Sequence, residues 1–244
     1  LVTGPEIFKD IRVRRAITLA LDRQDGAMFY GEAGKIQALW FPDSPWINED
    51  YLSWPGWNPA TKQADIKEAQ RLLTEAGYPD GFDIHLPCRN SSTWQVECEI
   101  FVEQMRQHLN ITVTLEIVDN TTLGKIRCDG GYDLIVNGGA ANYLFPDTGF
   151  NNAASVSVNP CSLIRHDDSH VDDIFRKIQA STDHAERVKL TREVEEYIVK
   201  DQVMFIPTWI GPLTWASRTY VKGLLTPVSA AENYLDHTNV WLDK

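Results

Sequence analysis

Apolar residues recur at helical spacing in several stretches of the chain. Val13, Ala16, Ile17, Ala20 and Leu21 share one face and predict a helix over residues 11–23, with Asp10 as its N-cap. Ile66, Ala69, Leu72, Leu73 and Ala76 predict a second helix over 65–76, which Gly77 at C′ and Pro79 beyond it would stop. Trp94, Cys98, Phe101, Met105 and Leu109 step by 4, 3, 4 and 4, so 94–109 reads as a third. Alternation marks strands instead at 82–86, at 111–117 running on to Val118, and at 132–136. A short helix at 122–128 and the turn Asp129-Gly130-Gly131 separate the last two strands. Two late helices follow, over 171–180 (Val171, Ile174, Phe175, Ile178) and 185–200 (Val188, Val194, Tyr197, Ile198).

The order strand, helix, strand, helix, strand with short connections implies crossover units and a largely parallel sheet, an α/β fold. Ligands of such sheets sit outside the carboxyl ends of the strands. Three loops leave those ends here. The first carries Cys88, Arg89 and Asn90 and runs toward Trp94; the second carries Asp119, Asn120 and Thr121; the third runs from Asn137 through Gly138 and Gly139 to Asn142 and Tyr143. Amides, one guanidinium, one carboxylate and aromatic rings suit hydrogen bonding and stacking on a polar solute. Any one of these residues also has a plain role in turn geometry.

Residues 40–57 break the pattern. Trp40, Trp46, Trp54 and Trp57 stand among Pro42, Pro45 and Pro55, a density that forbids a long helix or a central strand. The rings either line a cleft or pin an irregular loop to the core, and the area each ring buries favours pinning. Trp46, from this stretch, and Trp209, far beyond it, are expected to meet a ligand.

Composition narrows the classes. The chain has 244 residues and a net charge of −11, with 43% hydrophobic and 23% charged residues. An acidic surface argues against nucleic acid as a partner. No apolar run reaches the roughly 18–20 residues of a membrane span. Residues 1–15 carry polar side chains and Pro5 where a signal peptide would be apolar, so no leader is expected there. Phosphate-loop, dinucleotide, nucleophile-elbow and zinc-protease motifs do not occur. His166 and His170 are spaced to chelate a metal, yet the run His166-Asp167-Asp168-Ser169-His170 opens a helix, and capping by Asp168 or Ser169 explains it. The four cysteines, Cys88, Cys98, Cys128 and Cys161, form no C-x-x-C pair. Free thiols are expected, with Cys98 on a buried helix face; three pairings are open if all four are bonded.

Several stretches together resemble the family 5 extracellular solute-binding proteins of ABC importers. Residues 8–17 (FKDIRVRRAI) with Ala20-Leu21-Asp22-Arg23 are similar to the family's F-x-D-x-R-V-R-x-A-I…A-x-D-R helix. Residues 68–82 (EAQRLLTEAGYPDGF) are similar to its A-x-x-L-L-x-E-A-G-Y-x-D-G-F run. Tyr132-Asp133, Ala141-Asn142-Tyr143 and Pro146-Asp147 resemble its Y-D…A-D-Y-x-D-P segment, and Ile206-Pro207, Tyr220 to Leu224 and the ending 239–244 resemble its late strands. The resemblance implies one lobe of a type II periplasmic-binding-protein-like fold. It implies a non-enzymatic protein without cofactor, periplasmic or extracellular and associated with the membrane through its importer. Such a protein closes two lobes on a polar solute (a peptide, opine, sugar or derivative) and hands it to an ABC permease. Residues 1–212 would form the C-terminal lobe. Residues 213–244 would be a tail returning to an N-terminal lobe that lies outside this sequence.

Peptide-binding members hold the ligand's amino terminus with the Asp of A-D-Y. Asn142 stands there in this chain, and Leu144-Phe145 alters the spacing, so a neutral amide replaces a charge-assisted bond. The expected ligand contacts are Arg89, Asn90, Trp94, Asn137, Asn142, Tyr143, Trp209 and Trp46. Two rival classes remain: a metal-dependent α/β hydrolase using His166 and His170, and a module that only docks on a permease.

Overall fold

A computed structural model describes residues 5–42, 44–136, 146, 152–212, 217–223 and 239–243. Seven α-helices are found among them: α1 (Ile11–Ala20), α2 (Arg23–Met28), α3 (Lys62–Glu75), α4 (Ser92–Leu109), α5 (Asn120–Asp129), α6 (Ser169–Ala180) and α7 (His184–Glu195). The strands are β1 (Lys35–Ile36), β2 (Asp83–Arg89), β3 (Thr112–Val118), β4 (Trp209–Ile210), β5 (Val221–Lys222) and β6 (Trp241–Leu242). β2 and β3 pair in parallel, from Asp83 opposite Thr112 to Arg89 opposite Val118, with α4 as the crossover. β1 and β4 pair antiparallel, as do β5 and β6.

Local signals set these boundaries. Asp10 accepts the Arg12 amide at 2.8 Å and starts α1. Asp168 accepts the His170 amide at 2.9 Å and starts α6. Gly77 takes φ +94° after α3, where a residue with Cβ is disfavoured. The expected helix over 185–200 divides: α7 ends at Glu195 and a π-helical turn, Glu196–Asp201, follows. That wider turn delivers the consecutive residues Ile198 and Val199 to the core.

One expected strand does not form. Residues 131–136 lie against β2 without a regular ladder. The His85 amide donates to the Asp133 carboxylate at 2.6 Å, and Leu134 N–H reaches the His85 carbonyl at 3.4 Å. A side chain thus takes the donor that a neighbouring strand's carbonyl would have met.

Two apolar clusters carry the packing. The first joins α1, α3, α4 and the β2–β3 pair, through Val13, Ile17, Leu73, Leu86, Met105 and Ile111. The second sets the tryptophan segment on α6 and α7, through Trp40, Trp54, Trp57, Ile174, Phe175 and Val194. Pinning is therefore what these rings do: Trp40, Trp46, Trp54 and Trp57 are all buried.

Buried cations stitch α1 to the rest. The Arg23 Nη1 donates to the carbonyls of Thr18 and Gly56 and Nε to that of Pro207, while the guanidinium lies 3.6 Å from the Trp57 ring centre. The Lys62 ammonium donates to Leu19, Leu21 and again Gly56. Both therefore neutralise the negative end of α1. Burial brings Arg23 down to about 9 and Lys62 to about 8, values at which both stay protonated near neutrality. Gly56 has no substitute here, because a Cβ would stand 2.6 Å from the Thr18 carbonyl.

The cysteines are not free. Cys88 is bonded to Cys98 and Cys128 to Cys161, which corrects the expectation of reduced thiols. The chain turns back after β2 into α4, which sets the strand's end beside the second turn of the helix, a proximity invisible in the spacing of the four residues.

Candidate functional site

The carboxyl ends of β2 and β3 finish level, at Arg89 and Val118, so the loops that follow leave from one edge. The Asn90 amide donates to the Val118 carbonyl at 2.7 Å and extends the pairing by one bond. The Cys88–Cys98 bond fixes this edge to α4. On that frame the Arg89 guanidinium lies 5.2 Å from the Trp94 ring centre, a cation–π contact. The Asn90 Oδ1 accepts from Gln95 Nε2 at 3.1 Å.

The apolar face of β3 opens toward this edge. Ile111 is fully buried, Val113 and Leu115 are half-buried, and Ile117 is 45% exposed, so burial falls along the alternating apolar positions. The helix covers the start of the strand and leaves its end bare.

Asp119, the carboxylate of the second loop, is committed elsewhere. It accepts the amides of Thr121 and Thr122 and the Thr122 hydroxyl, and so caps α5. These donors hold its carboxyl below the usual range. Another acid stands on α4, the helix that carries Trp94. Glu97 lies three residues after Trp94 on α4, is half-buried, and accepts a hydrogen bond from the Tyr30 hydroxyl. Burial raises both the Glu97 carboxyl and the Tyr30 phenol. Nothing in the helix pattern distinguishes Glu97 from the solvated acids around it; its place beside Cys98 is the one hint.

The other expected contacts divide. Arg89, Asn90 and Trp94 are brought together. Asn137, Asn142 and Tyr143 lie outside the described residues. Trp46 and Trp209 are core residues, 3% and 6% exposed, which corrects their expected place at a ligand. Trp46 packs edge-on to His184, and the Trp209 ring lies so close over Gly26 that a Cβ there would meet it at 2.3 Å.

The histidine pair does not chelate. His166 is fully buried, and its Nδ1 accepts the Asp168 amide at 3.0 Å. Nε2 must then carry the proton, which it donates to the Ala153 carbonyl at 2.7 Å. Both ring nitrogens are used by backbone, while His170 is exposed and packs on Tyr197. Among the described residues no group of three or more His, Cys, Asp or Glu gathers as a metal site. The hydrolase alternative has no support. Nor is any described helix long and apolar enough to cross a membrane.

Residues 1–160 match the family model for bacterial extracellular solute-binding proteins, family 5 middle region. The chain belongs to this family. It is 26% identical over 235 residues to the periplasmic oligopeptide-binding protein OppA of Salmonella typhimurium, covering 89% of this chain and 42% of that protein. It is 24% identical to heme-binding protein A of Haemophilus influenzae, covering 88% and 40%. The fold is similar to that of a Pseudoalteromonas dipeptide-binding protein in complex with Met-Leu, with a TM-score of 0.81 at 20% identity, covering 98% of this chain and 46% of that one. DppA of Helicobacter pylori, in complex with the peptide STSA, gives a TM-score of 0.76 at 20% identity over 98% of this chain and 45% of that one. The family 5 chain thus spans less than half the length of these relatives, and its architecture is an α/β lobe of the periplasmic-binding-protein type II fold.

Proposed function

We propose that this chain forms one wall of a solute-binding cleft, in a periplasmic or extracellular protein that delivers a polar solute to an ABC permease. Residues 1–212 make the lobe and residues 213–244 the tail that returns to its partner lobe. One observation supports the reading above others: β2 and β3 end in register, and the last residue of β2 is an arginine that lies over a tryptophan of α4, with Ile117 exposed near the end of β3. Arg89 pairs with an anionic group of the guest, Trp94 stacks on it, and Asn90, Asn137, Asn142 and Tyr143 supply hydrogen bonds and a second ring. The guest is held and not transformed. Its chemical class is that of a short peptide or peptide derivative, in keeping with the named ligands of OppA and the dipeptide-binding neighbour. Hinge closure of two lobes around the guest is the expected working motion.

Native mass spectrometry of the full chain, purified without denaturation, tests this. A retained peptide-class solute is expected, and Arg89→Ala or Trp94→Ala should weaken its retention by about tenfold or more. A protein that retains nothing and is stabilised by divalent metal instead would sink the proposal.

A further inference from the structure

The two disulfides differ in their surroundings. Cys88 and Cys98 are fully buried between β2 and α4. Cys128 and Cys161 are half-buried, and each has an exposed neighbour in the chain, Asp129 and Pro160. Exchange with an outside thiol needs access to a sulfur, so burial shields the first bond more than the second.

A cation stands at the second bond. Arg165 Nη1 donates to the Arg127 carbonyl at 3.1 Å and to the Pro160 carbonyl at 3.2 Å. These carbonyls come immediately before Cys128 and Cys161, so Nη1 lies within about 6 Å of both α-carbons. Gly130, at φ +75°, leaves room for the side chain: a Cβ there would stand 2.8 Å from the guanidinium carbon. A positive charge at this range favours a thiolate, and with it the departure of a sulfur. The two sulfurs are not equivalent. Cys128 sits in the last turn of α5, at the negative end of the helix and next to the Asp129 carboxylate. Cys161 lies in a turn outside any helix, where its amide donates to Asn159 Oδ1 at 3.0 Å. Cys161 is therefore the better leaving group.

The bond also joins a well-anchored segment to a thinly anchored one. Asp172 on α6 accepts the Ser155 amide at 2.9 Å and the Ser155 hydroxyl at 2.6 Å. The Val156 amide donates to the His166 carbonyl at 2.8 Å, and the Ser162 hydroxyl to that of Asn152 at 2.9 Å. Residues 152–168 thus hold without the disulfide. Of the ten residues of α5, Leu123 alone is buried, and it lies in the first half of the helix. The disulfide and the Arg165 bond are what reach the last turn.

We infer that the Cys128–Cys161 bond is an exchange site for a small-molecule thiol, which attacks Cys128, expels Cys161 beside Arg165 and frees the last turn of α5. The assignment stands apart from the identity of any solute. In the first step the thiolate RS⁻ bonds to Cys128 Sγ, the bond between the two Sγ atoms breaks, and Cys161 leaves with the bonding pair. In the second, another thiolate attacks the sulfur of R, giving RSSR and the Cys128 thiolate. The protons lost by the two thiols pass through water to the two protein thiolates. The cystine gains two electrons, and two thiols are oxidised to one disulfide.

To test this, 2-mercaptoethanol is added to the native full chain, samples are quenched with N-ethylmaleimide, and peptides are read by mass spectrometry. Maleimide should reach Cys128 and Cys161 at least about tenfold faster than Cys88 and Cys98, while tryptophan emission stays native. The early intermediate should carry mercaptoethanol on Cys128 and maleimide on Cys161. Arg165→Gln should slow the reaction by about threefold, and Arg165→Lys, which keeps the charge, should restore most of the rate. Hydrogen exchange of the reduced, capped chain should show lost protection at 126–130 and retained protection at 152–168. Equal rates at the two bonds, or labelling only as the fold is lost, overturns the exchange site. Mercaptoethanol on Cys161 overturns the direction of attack, and an unchanged or faster rate in Arg165→Gln overturns the role of Arg165. Protection lost in both segments, or in neither, overturns the release of α5.

Discussion

The two apolar clusters solve the same problem by different means. Around β2, β3, α1, α3 and α4, regular elements pair their own backbone groups, and the side chains only have to be apolar at the right period. In the tryptophan segment no such ladder exists among the described residues from 38 to 50, so backbone donors there draw on turns and on outside partners. Glu195, fully buried on α7, provides them: its carboxylate accepts the Trp40 amide at 3.1 Å, the Asn48 amide at 2.8 Å and the Asn48 side chain at 2.8 Å. Asn48 in turn donates to the Arg192 carbonyl. One region is held by many small equal contributions; in the other, packed rings share the load with one acid that collects several donors at a single point. Substitution should therefore be tolerated broadly in the first and hardly at all at one point in the second.

Glu195→Ala is the largest break available. Two backbone amides and one side-chain amide lose their acceptor in a buried place, and a loss of about 3 kcal/mol or more follows at neutral pH. Urea unfolding followed by tryptophan emission measures it. The same group gives a pH signature. Burial pushes its carboxyl up to about 7, against the opposing pull of the amides of Asn48, Trp40 and Leu39. A carboxyl raised above its unfolded value binds its proton more tightly when folded. Its contribution is fully present below about 4.5 and lost as pH climbs to about 7. Wild-type stability should carry that downward slope between the two values, and Glu195→Gln should lack it.

In the patterned region the corresponding break is smaller. Replacing Cys88 and Cys98 together by Ala opens a short loop and should cost about 2–3 kcal/mol. Chemical denaturation of the double variant measures the loss, and solute affinity should fall with it, because the bond fixes the Arg89 loop to α4. A variant as stable as the wild type would show that packing alone holds this edge.

What the sequence disclosed follows the same division. The helices now seen as α3, α4 and α6 and the strand β3 were legible within a few residues, because period and caps are local. That Arg89, Asn90 and Trp94 would gather at one edge of the sheet was legible because the chain leaving a parallel strand has a known destination. The missing ladder at 131–136 was not, since it turns on where the Asp133 carboxylate points. Glu195 and Glu97 were missed for one reason: an acid on a helix looks solvated until the segment packed over it is known. The paired cysteines depend in the same way on which elements meet in space.

The finest test stays within the patterned region, at the start of α1. Asp10 does two things there: it accepts the Arg12 amide as N-cap, and it pairs with the Arg12 guanidinium at 2.6 Å. Asp10→Ala removes both and should cost about 1 kcal/mol, the usual worth of a cap. Asp10→Asn keeps an oxygen for the amide and removes only the charge. The pair is partly exposed, 44% on Arg12 and 28% on Asp10, so water and salt screen it, and the loss should stay within about 0.5 kcal/mol. The Arg12 hydrogen bond holds the Asp10 carboxyl below 3.8, so its contribution is present above that value and fades as pH falls through the lower folded one. Denaturant midpoints of the two variants at pH 7 and pH 3 separate cap from charge. Equal losses in both at pH 7 would mean that the ion pair, and not the cap, starts the helix; that would undo the claim that local pattern alone builds this half of the molecule.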